Sequence, residues 1–304
     1  MTDFTKLKDW HLKRSSSAWP LSGSSDIRER VSRRVQAWNI SVENTAGTPG
    51  SVIVFGTMGH EPVVMKVFRR HGDEWGSGEI LRAFEGEGMV RLLNHADGAV
   101  LLQRLTPGTS LADVAVGDDD QATGVLIDVM RRLTPRTVPA GVSTVEDWGK
   151  GFTRYATTLD TRVPRPLLES AQRIYHDLCA TQTGTRLLHG DLHHFNVLMD
   201  KGRGWTAIDP KGVVGEQAYE VGATLRNPFG RSESFTDHAV VARRAARFAK
   251  ELTLDEGRVL AWAFAQAVLA AVWAIEDGGT VHPDSPWLVL ANTIGPMLKG
   301  VVDV

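Results

Sequence analysis

The sequence is short of most features that would take it out of the ordinary globular class. It has 304 residues and one cysteine, Cys179, so neither an intrachain disulfide nor a cysteine-built zinc cage can form. It has no charge bias either: 34 Lys+Arg stand against 36 Asp+Glu, a formal charge of −2. Proteins held to nucleic acid by counterion release carry a marked basic excess, so nucleic acid is not an expected partner. No G-x-G-x-x-G and no G-x-x-x-x-G-K-[ST] occurs, which leaves Rossmann and P-loop readings without support. Internal repeats and low-complexity tracts are missing too. The opening MTDFTKLKDWHLKR lacks the apolar segment of a signal peptide, and the expected compartment is the cytoplasm. Only one long apolar run exists, VLAWAFAQAVLAAVWAI at 259–275, interrupted by Gln266 alone. It falls short of the ~20 residues a bilayer core needs and runs into Glu276 and Asp277, so a buried helix is expected and no membrane association.

With 42% apolar and 23% charged residues, the chain has the material for one large domain or two lobes. A Ser-rich stretch at 15–25 reads as a loop. Asp26, with Glu29 three residues on, reads as the cap of a helix whose apolar face is Ile27, Val31, Val35 and Trp38. Strand-like runs follow at 39–43, 51–55 and 62–68, then a helix at 79–84 and short apolar runs at 89–93 and 100–105. Beyond Thr106-Pro107-Gly108 the pattern turns helical, at 121–133, 166–180, 243–254 and 259–275. The expectation is an N-terminal lobe over 1–104 and a C-terminal lobe over 105–304, with a ligand cleft between them.

The chemistry is concentrated in LLHGDLHHFNVLM at 187–199. Asn196 stands five positions after Asp191, and a second strand-like run, Gly204-Trp205-Thr206-Ala207-Ile208, ends in Asp209-Pro210. Strands around an irregular loop would bring an Asp, an Asn and a second Asp to one edge. Phosphoryl transfer requires such a set. One carboxylate orients or deprotonates the attacking hydroxyl, and an amide oxygen with a second carboxylate holds Mg²⁺ on the phosphates.

H-G-D-x-x-x-x-N followed by I-D-P resembles the catalytic loop and metal aspartate of the aminoglycoside phosphotransferases, relatives of protein kinases by fold. HGDLHHFNVL, RGWTAIDPKGVVGE, GEGMVRLLNH, LLQRLTPG and WAIEDGGT more specifically resemble the streptomycin 6-phosphotransferase and hydroxyurea phosphotransferase family, over about 38–279. The resemblance implies a two-lobed protein-kinase-like α+β fold, with an antiparallel-sheet N-lobe and a helical C-lobe. It implies ATP and Mg²⁺, and a small-molecule acceptor of the streptomycin type, with hydroxyurea or a metabolic alcohol or sugar as the alternative. Residue by residue, it makes Asp191 the catalytic base and Asn196 and Asp209 the Mg²⁺ ligands. Lys66 becomes the grip on the ATP phosphates and Glu79 its ion-pair partner, with Glu74, Glu85 and Glu87 close enough to replace it. The segment from Gln103 to Leu105 becomes the adenine contact through backbone groups. Two positions depart from the family pattern: Phe195 replaces a common Glu, and Glu220 a usual Asp.

Other readings compete. His189, His193 and His194 with Asp191 resemble a zinc cluster, but Gly190 breaks the helical spacing such a cluster would use, and a backbone hydrogen bond suits His189 better. The glycines of AGTPGS at 46–51 fit a hairpin turn as well as a phosphate contact. Asp118-Asp119-Asp120 reads as a helix cap, and Cys179 as an inert core thiol. Glu276 and Asp277 are candidates for a cationic acceptor, with Glu233 and Asp237 weaker ones. A catalytically silent nucleotide-binding scaffold would be expected to have lost one of Lys66, Asp191, Asn196 and Asp209, and all four are present. A protein kinase would need an A-P-E segment and H-R-D rather than H-G-D.

Overall fold

The structure, a computed structural model, describes residues 25–86, 88–230 and 233–298. The Ser-rich stretch up to residue 24 and Glu87 therefore lie outside the described residues. Helix α1 (Ser25–Ala37) opens the fold and buries Ile27 and Val31. Asp26 lies inside its first turn rather than at its cap, 4.0 Å from Arg30.

Strands β1 (Ile40–Gly47), β2 (Ser51–Met58) and β3 (Glu61–Phe68) form a meander. A 3-10 turn (Asp73–Gly76), helix α2 (Ser77–Ala83) and strands β4 (Leu92–Ala96) and β5 (Ala99–Gln103) complete an antiparallel sheet of order β1-β2-β3-β5-β4. Side chains alternate across a strand. In β3 this sends Val63, Met65 and Val67 into a core shared with Ile27, Val31, Val52, Val54 and Leu101, and turns Lys66 to the other face. The short apolar run at 89–93 enters a strand only at Leu92. Residues 88–90 instead clamp a distant strand end, with Ala207 donating to Gly88 O and Val90 to Ala207 O, both at 2.8 Å.

After β5 come β6 (Pro107–Ser110), α3 (Leu111–Val114), α4 (Asp119–Arg132), α5 (Val145–Ala156) and α6 (Arg165–Ala180). The short strands β7 (Arg186–Leu188), β8 (Val197–Asp200), β9 (Gly204–Ala207) and β10 (Val213–Gly215) precede α7 (Gln217–Leu225), α8 (Glu233–Thr236), α9 (His238–Leu252), α10 (Glu256–Glu276) and α11 (Pro286–Ile294). β6, β8 and β9 form one small sheet and β7 pairs with β10. Of the acidic run, Asp118 makes the helix cap, accepting from the Gln121 amide at 2.8 Å, while Asp119 turns to Arg243 and the buried Arg244 of α9. Cys179 sits half-buried at the core edge, where burial, with Glu146 and Glu216 nearby, pushes its thiol up to about 12.

The larger core is organised by α10, in which every residue from Val259 to Val272 is buried. It is the one helix among the described residues long and apolar enough to cross a membrane, but 78% of its apolar window is covered by the rest of the fold. Trp262 is fully buried, edge-on to Tyr175 (5.0 Å) and Tyr219 (4.9 Å), and its indole N–H donates to the buried Glu216. Truncating such a side chain removes its transfer free energy and leaves a cavity. Trp262→Ala is expected to cost about 3–5 kcal/mol in equilibrium urea unfolding. A loss below about 1 kcal/mol would mean that this aromatic cluster does not hold the helices together.

Candidate active site

The site is built where two irregular loops lie side by side. The first runs from β7 to β8 and carries His189, Gly190, Asp191 and Asn196; the second follows β9 and carries Asp209. His189 is buried and links them. Its Nε2 donates to Ile208 O at 2.8 Å, its Nδ1 accepts from the Asp191 amide at 3.2 Å, and its carbonyl accepts from the amides of Lys211 (2.9 Å) and Gly212 (3.0 Å). The backbone hydrogen bond expected of His189 is thus present, and with both ring nitrogens engaged the side chain is no metal ligand. A further cross-link joins the Ile208 amide to Asn196 O at 2.9 Å. His194 is buried with neither ring nitrogen hydrogen-bonded among the described residues, and burial together with Arg244 and His193 holds it neutral.

Gly190 adopts φ +83°, and a Cβ there would lie 2.9 Å from the Trp148 ring, so the turn that exposes Asp191 admits only glycine. From below, the loop is fixed by Glu220 of α7. This buried carboxylate accepts from the amides of Gly190 (3.1 and 3.2 Å) and Leu192 (3.3 Å). The departure noted at this position has a structural outcome: a Glu on this helix still reaches the loop backbone.

Asp191 keeps about 26% of its side chain accessible. Its Oδ1 accepts from Arg226 Nη2 at 3.3 Å and its Oδ2 lies 3.6 Å from His193 Nε2. Burial pushes its carboxyl up, but His193, Arg226 and His189 outweigh it and hold the group below the usual carboxylate range. The Asn196 amide nitrogen donates to Asp191 O at 2.9 Å and lies 3.4 Å from His193 Nε2. Its Oδ1 has no hydrogen-bond partner among the described residues and is available to a cation. Asp209 takes the left-handed conformation, φ +59°, which Asp tolerates better than most side chains. Its carboxylate pairs with Lys66 from β3, and the site thus draws on both lobes.

The second carboxylate at Lys66 is Glu74, at 3.8 Å, not Glu79. Glu79 is exposed on the outer face of α2, where it meets Arg82 at 3.2 Å and His95 at 3.5 Å. Glu74 lies in the 3-10 turn just before that helix and also pairs with Lys211. The resemblance pointed to a residue on the helix, with Glu74 as an alternative; the 3-10 turn brings that earlier residue inward. In the connecting segment, the amides of Gln103 and Arg104 are spent on Arg91 O and Pro62 O, both at 3.0 Å. Leu105 is buried, and its N–H has no partner among the described residues.

The acceptor candidates fare less well. Glu276 makes a two-point ion pair with Arg154, at 3.0 and 3.1 Å, which neutralises it. Asp277 caps the end of α10 and is exposed. Asp237 caps α9 by accepting from the Val240 amide at 3.0 Å, and Glu233 opens α8 on the surface. Arg226 and Lys211 were given no site role from the sequence, and Glu74 was named there only as an alternative to Glu79.

A sheet-bearing lobe that projects a lysine onto a loop pair carrying Asp, Asn and Asp is the architecture of the protein-kinase-like small-molecule phosphotransferases. The fold agrees. A crystal structure of a thermostable mutant of the aminoglycoside phosphotransferase APH(4)-Ia, in a ternary complex with ADP and hygromycin B, superposes with a TM-score of 0.63 at 14% identity, over 90% of this chain and 99% of that one. The family of aminoglycoside/hydroxyurea antibiotic resistance kinases matches residues 38–278. Among curated relatives, a streptomycin 6-kinase of Streptomyces griseus is 34% identical over 66% of this chain and 66% of its own length. A streptomycin 3''-kinase of Klebsiella pneumoniae is 33% identical over 72% of this chain and 82% of its own. The chain belongs to the aminoglycoside/hydroxyurea antibiotic resistance kinase family, and it is a small-molecule phosphotransferase.

Proposed function

We propose that the protein transfers the γ-phosphoryl group of ATP to a hydroxyl of a streptomycin-type aminoglycoside in the cytoplasm. The observation that carries the reading is that Lys66 of the N-terminal sheet meets Asp209, while Asp191 and Asn196 stand on the adjoining, cross-linked loop. The free Leu105 N–H offers adenine a donor, as the expected backbone contact requires. Lys66, set between Asp209 and Glu74, presents a fixed ammonium to the phosphates. Asp191 remains ionised at neutral pH because His193, Arg226 and His189 together outweigh burial, and so it can orient the acceptor hydroxyl and take its proton.

The unpartnered Asn196 amide oxygen and the Asp209 carboxylate form a hard-oxygen pair of the kind Mg²⁺ accepts alongside waters and phosphate oxygens, and they would hold it. Bound there, magnesium supplies charge neutralisation on the phosphates. The acceptor is carried by similarity to the two streptomycin kinases, whose names specify different hydroxyls at almost equal identity.

Because Arg154 neutralises Glu276, Asp277 is the carboxylate left for a cationic acceptor of the two at the end of α10. Incubation with ATP, Mg²⁺ and a panel of streptomycin, related cyclitols, hydroxyurea and sugar alcohols tests the reading. Streptomycin is expected to be phosphorylated, and Asp277→Asn to raise its KM several-fold more than that of ATP. Turnover of hydroxyurea or a neutral alcohol without streptomycin would move the acceptor and leave the phosphotransferase in place.

A further inference from the structure

The buried helix α10 contains one polar side chain within its fully buried stretch, and that side chain leads to the base. Gln266 is 2% exposed. A leucine would fill such a position without the cost of burying an amide, so the amide is kept for what it bonds. Its Nε2 donates to Tyr219 O at 2.6 Å, and its Oε1 accepts from Arg226 Nη1 at 2.8 Å. The first bond sets the orientation of the amide, leaving Oε1 to face Arg226. The other guanidinium nitrogen, Nη2, reaches Asp191 Oδ1 at 3.3 Å.

The facing helix makes room for this chain of bonds. A Cβ at Gly222 of α7 would lie 2.5 Å from Gln266 Cδ and Nε2, so only glycine admits the amide there. Arg226 follows one turn later, with its own amide bonded to Gly222 O at 3.3 Å. Gly222 opens the slot, Gln266 fills it, and Arg226 spans from the slot to Asp191. A planar guanidinium with both ends engaged has little freedom left, and it passes that constraint to the carboxylate.

We infer that Arg226, clamped by Gln266 in the slot left by Gly222, is a positioning residue that holds the Asp191 carboxylate in the orientation needed to meet the acceptor hydroxyl. The inference rests on the phosphotransferase reading of the site. It assigns a function to the one polar interruption of the apolar run and explains why α7 carries a glycine opposite it. Arg226 acts through Asp191 and not on the nucleotide, so its loss belongs in kcat and not in the KM for ATP.

The test compares wild type, Arg226→Ala, Arg226→Lys, Gln266→Met and the Arg226→Ala/Gln266→Met double variant, with ATP and whichever acceptor wild type uses. Misplacement of a reacting group by a fraction of an ångström to an ångström costs up to ~100-fold in rate. Arg226→Ala is expected to lose about 100-fold in kcat and Gln266→Met about 10-fold, with the KM for ATP within about twofold in both. The double variant should be no slower than Arg226→Ala, because Gln266 acts through the arginine. Arg226→Lys should stay impaired, since one ammonium cannot span Gln266 and Asp191. Millimolar guanidinium should restore part of the turnover of Arg226→Ala, a readout that a merely structural role would not move.

Near-normal kcat in Arg226→Ala, or multiplicative losses in the double variant, would overturn the assignment. If Arg226→Ala no longer folds, as judged by ADP binding and thermal unfolding, Gln266→Met decides: unchanged kcat there overturns it equally. A wild-type protein that phosphorylates no acceptor at all would remove the phosphotransferase reading first. An active wild type with an equally active Arg226→Ala removes only the role of Arg226.

Discussion

Asp191→Asn is expected to lower kcat by roughly 10³-fold, within the range that a positioned general base contributes, while leaving ADP affinity and thermal stability near wild type. The substitution is close to isosteric. The contacts that fix the residue in its loop involve its backbone: the amide bonded to His189 Nδ1 and the carbonyl bonded to Asn196 Nδ2 both survive it. An Asn oxygen can still accept from Arg226, so the side chain retains a neighbour as well. What is lost is the charge and the capacity to accept a proton. Single-turnover kinetics with ATP and the acceptor, alongside ADP titration, separates the step from binding. Near-normal turnover would remove Asp191 as the base.

The same surroundings predict the pH behaviour of the wild-type enzyme. Burial raises the Asp191 carboxyl, but His193, Arg226 and His189 lower it by more, so its folded value lies below the ordinary one. A base of this kind is active above its pKa and lost as pH falls through it. The acid limb of kcat/KM should therefore lie below the usual carboxylate range, and an acid limb near neutrality would assign the limiting proton to another group.

Much of this site was legible because the chemistry is local in sequence. His189, Asp191, Asn196 and Asp209 fall within 21 positions, and flanking apolar runs mark the strands that support their loops. Lys66 was legible through the family resemblance, and the alternation of β3 sets it opposite the buried Val63, Met65 and Val67. Its carboxylate partner was not. The resemblance selects Glu79 on α2 with Glu74 as one of the alternatives, and the inward residue is the one in a 3-10 turn whose path no periodicity announces. Glu276 failed for a different reason: Arg154 lies 122 positions away, and only packing of α5 against α10 pairs them. Arg226 carried no local signal. Its one trace in the sequence is on another helix, in the glutamine that interrupts an otherwise apolar run.

That contrast bears on how the site holds its charges. Lys66 bridges the lobes to Asp209, Glu74 joins Lys66 to Lys211, and Arg226 and His193 flank Asp191. Each carboxylate of the set faces a cation. Groups held this way leave little reorganisation for the chemical step. An acceptor bearing guanidinium groups must keep them away from Arg226, which confines favourable cation contacts to the far side of the acceptor from its reacting hydroxyl.

Asp209→Asn is expected to raise the Mg²⁺ concentration needed for half-maximal turnover by at least about tenfold and to lower kcat at saturating metal by roughly 10²-fold. Asn is the informative replacement because position 209 sits at φ +59°, where Asn is tolerated as well as Asp, whereas Ala would add backbone strain to the loss of charge. The variant removes the charge of the proposed oxygen ligand and at the same time leaves Lys66 with Glu74 as its remaining carboxylate. Stability should change little, because about 36% of the Asp209 side chain is solvent-accessible and exposed ion pairs contribute modestly to folding. Two measurements therefore distinguish the roles. If Asp209 is a metal ligand, a Mg²⁺ titration of the kinase assay moves while the thermal midpoint does not. If it is only the end of a strand and an anchor for Lys66, metal dependence stays at the wild-type value, and the deficit appears instead as a raised KM for ATP at every Mg²⁺ concentration.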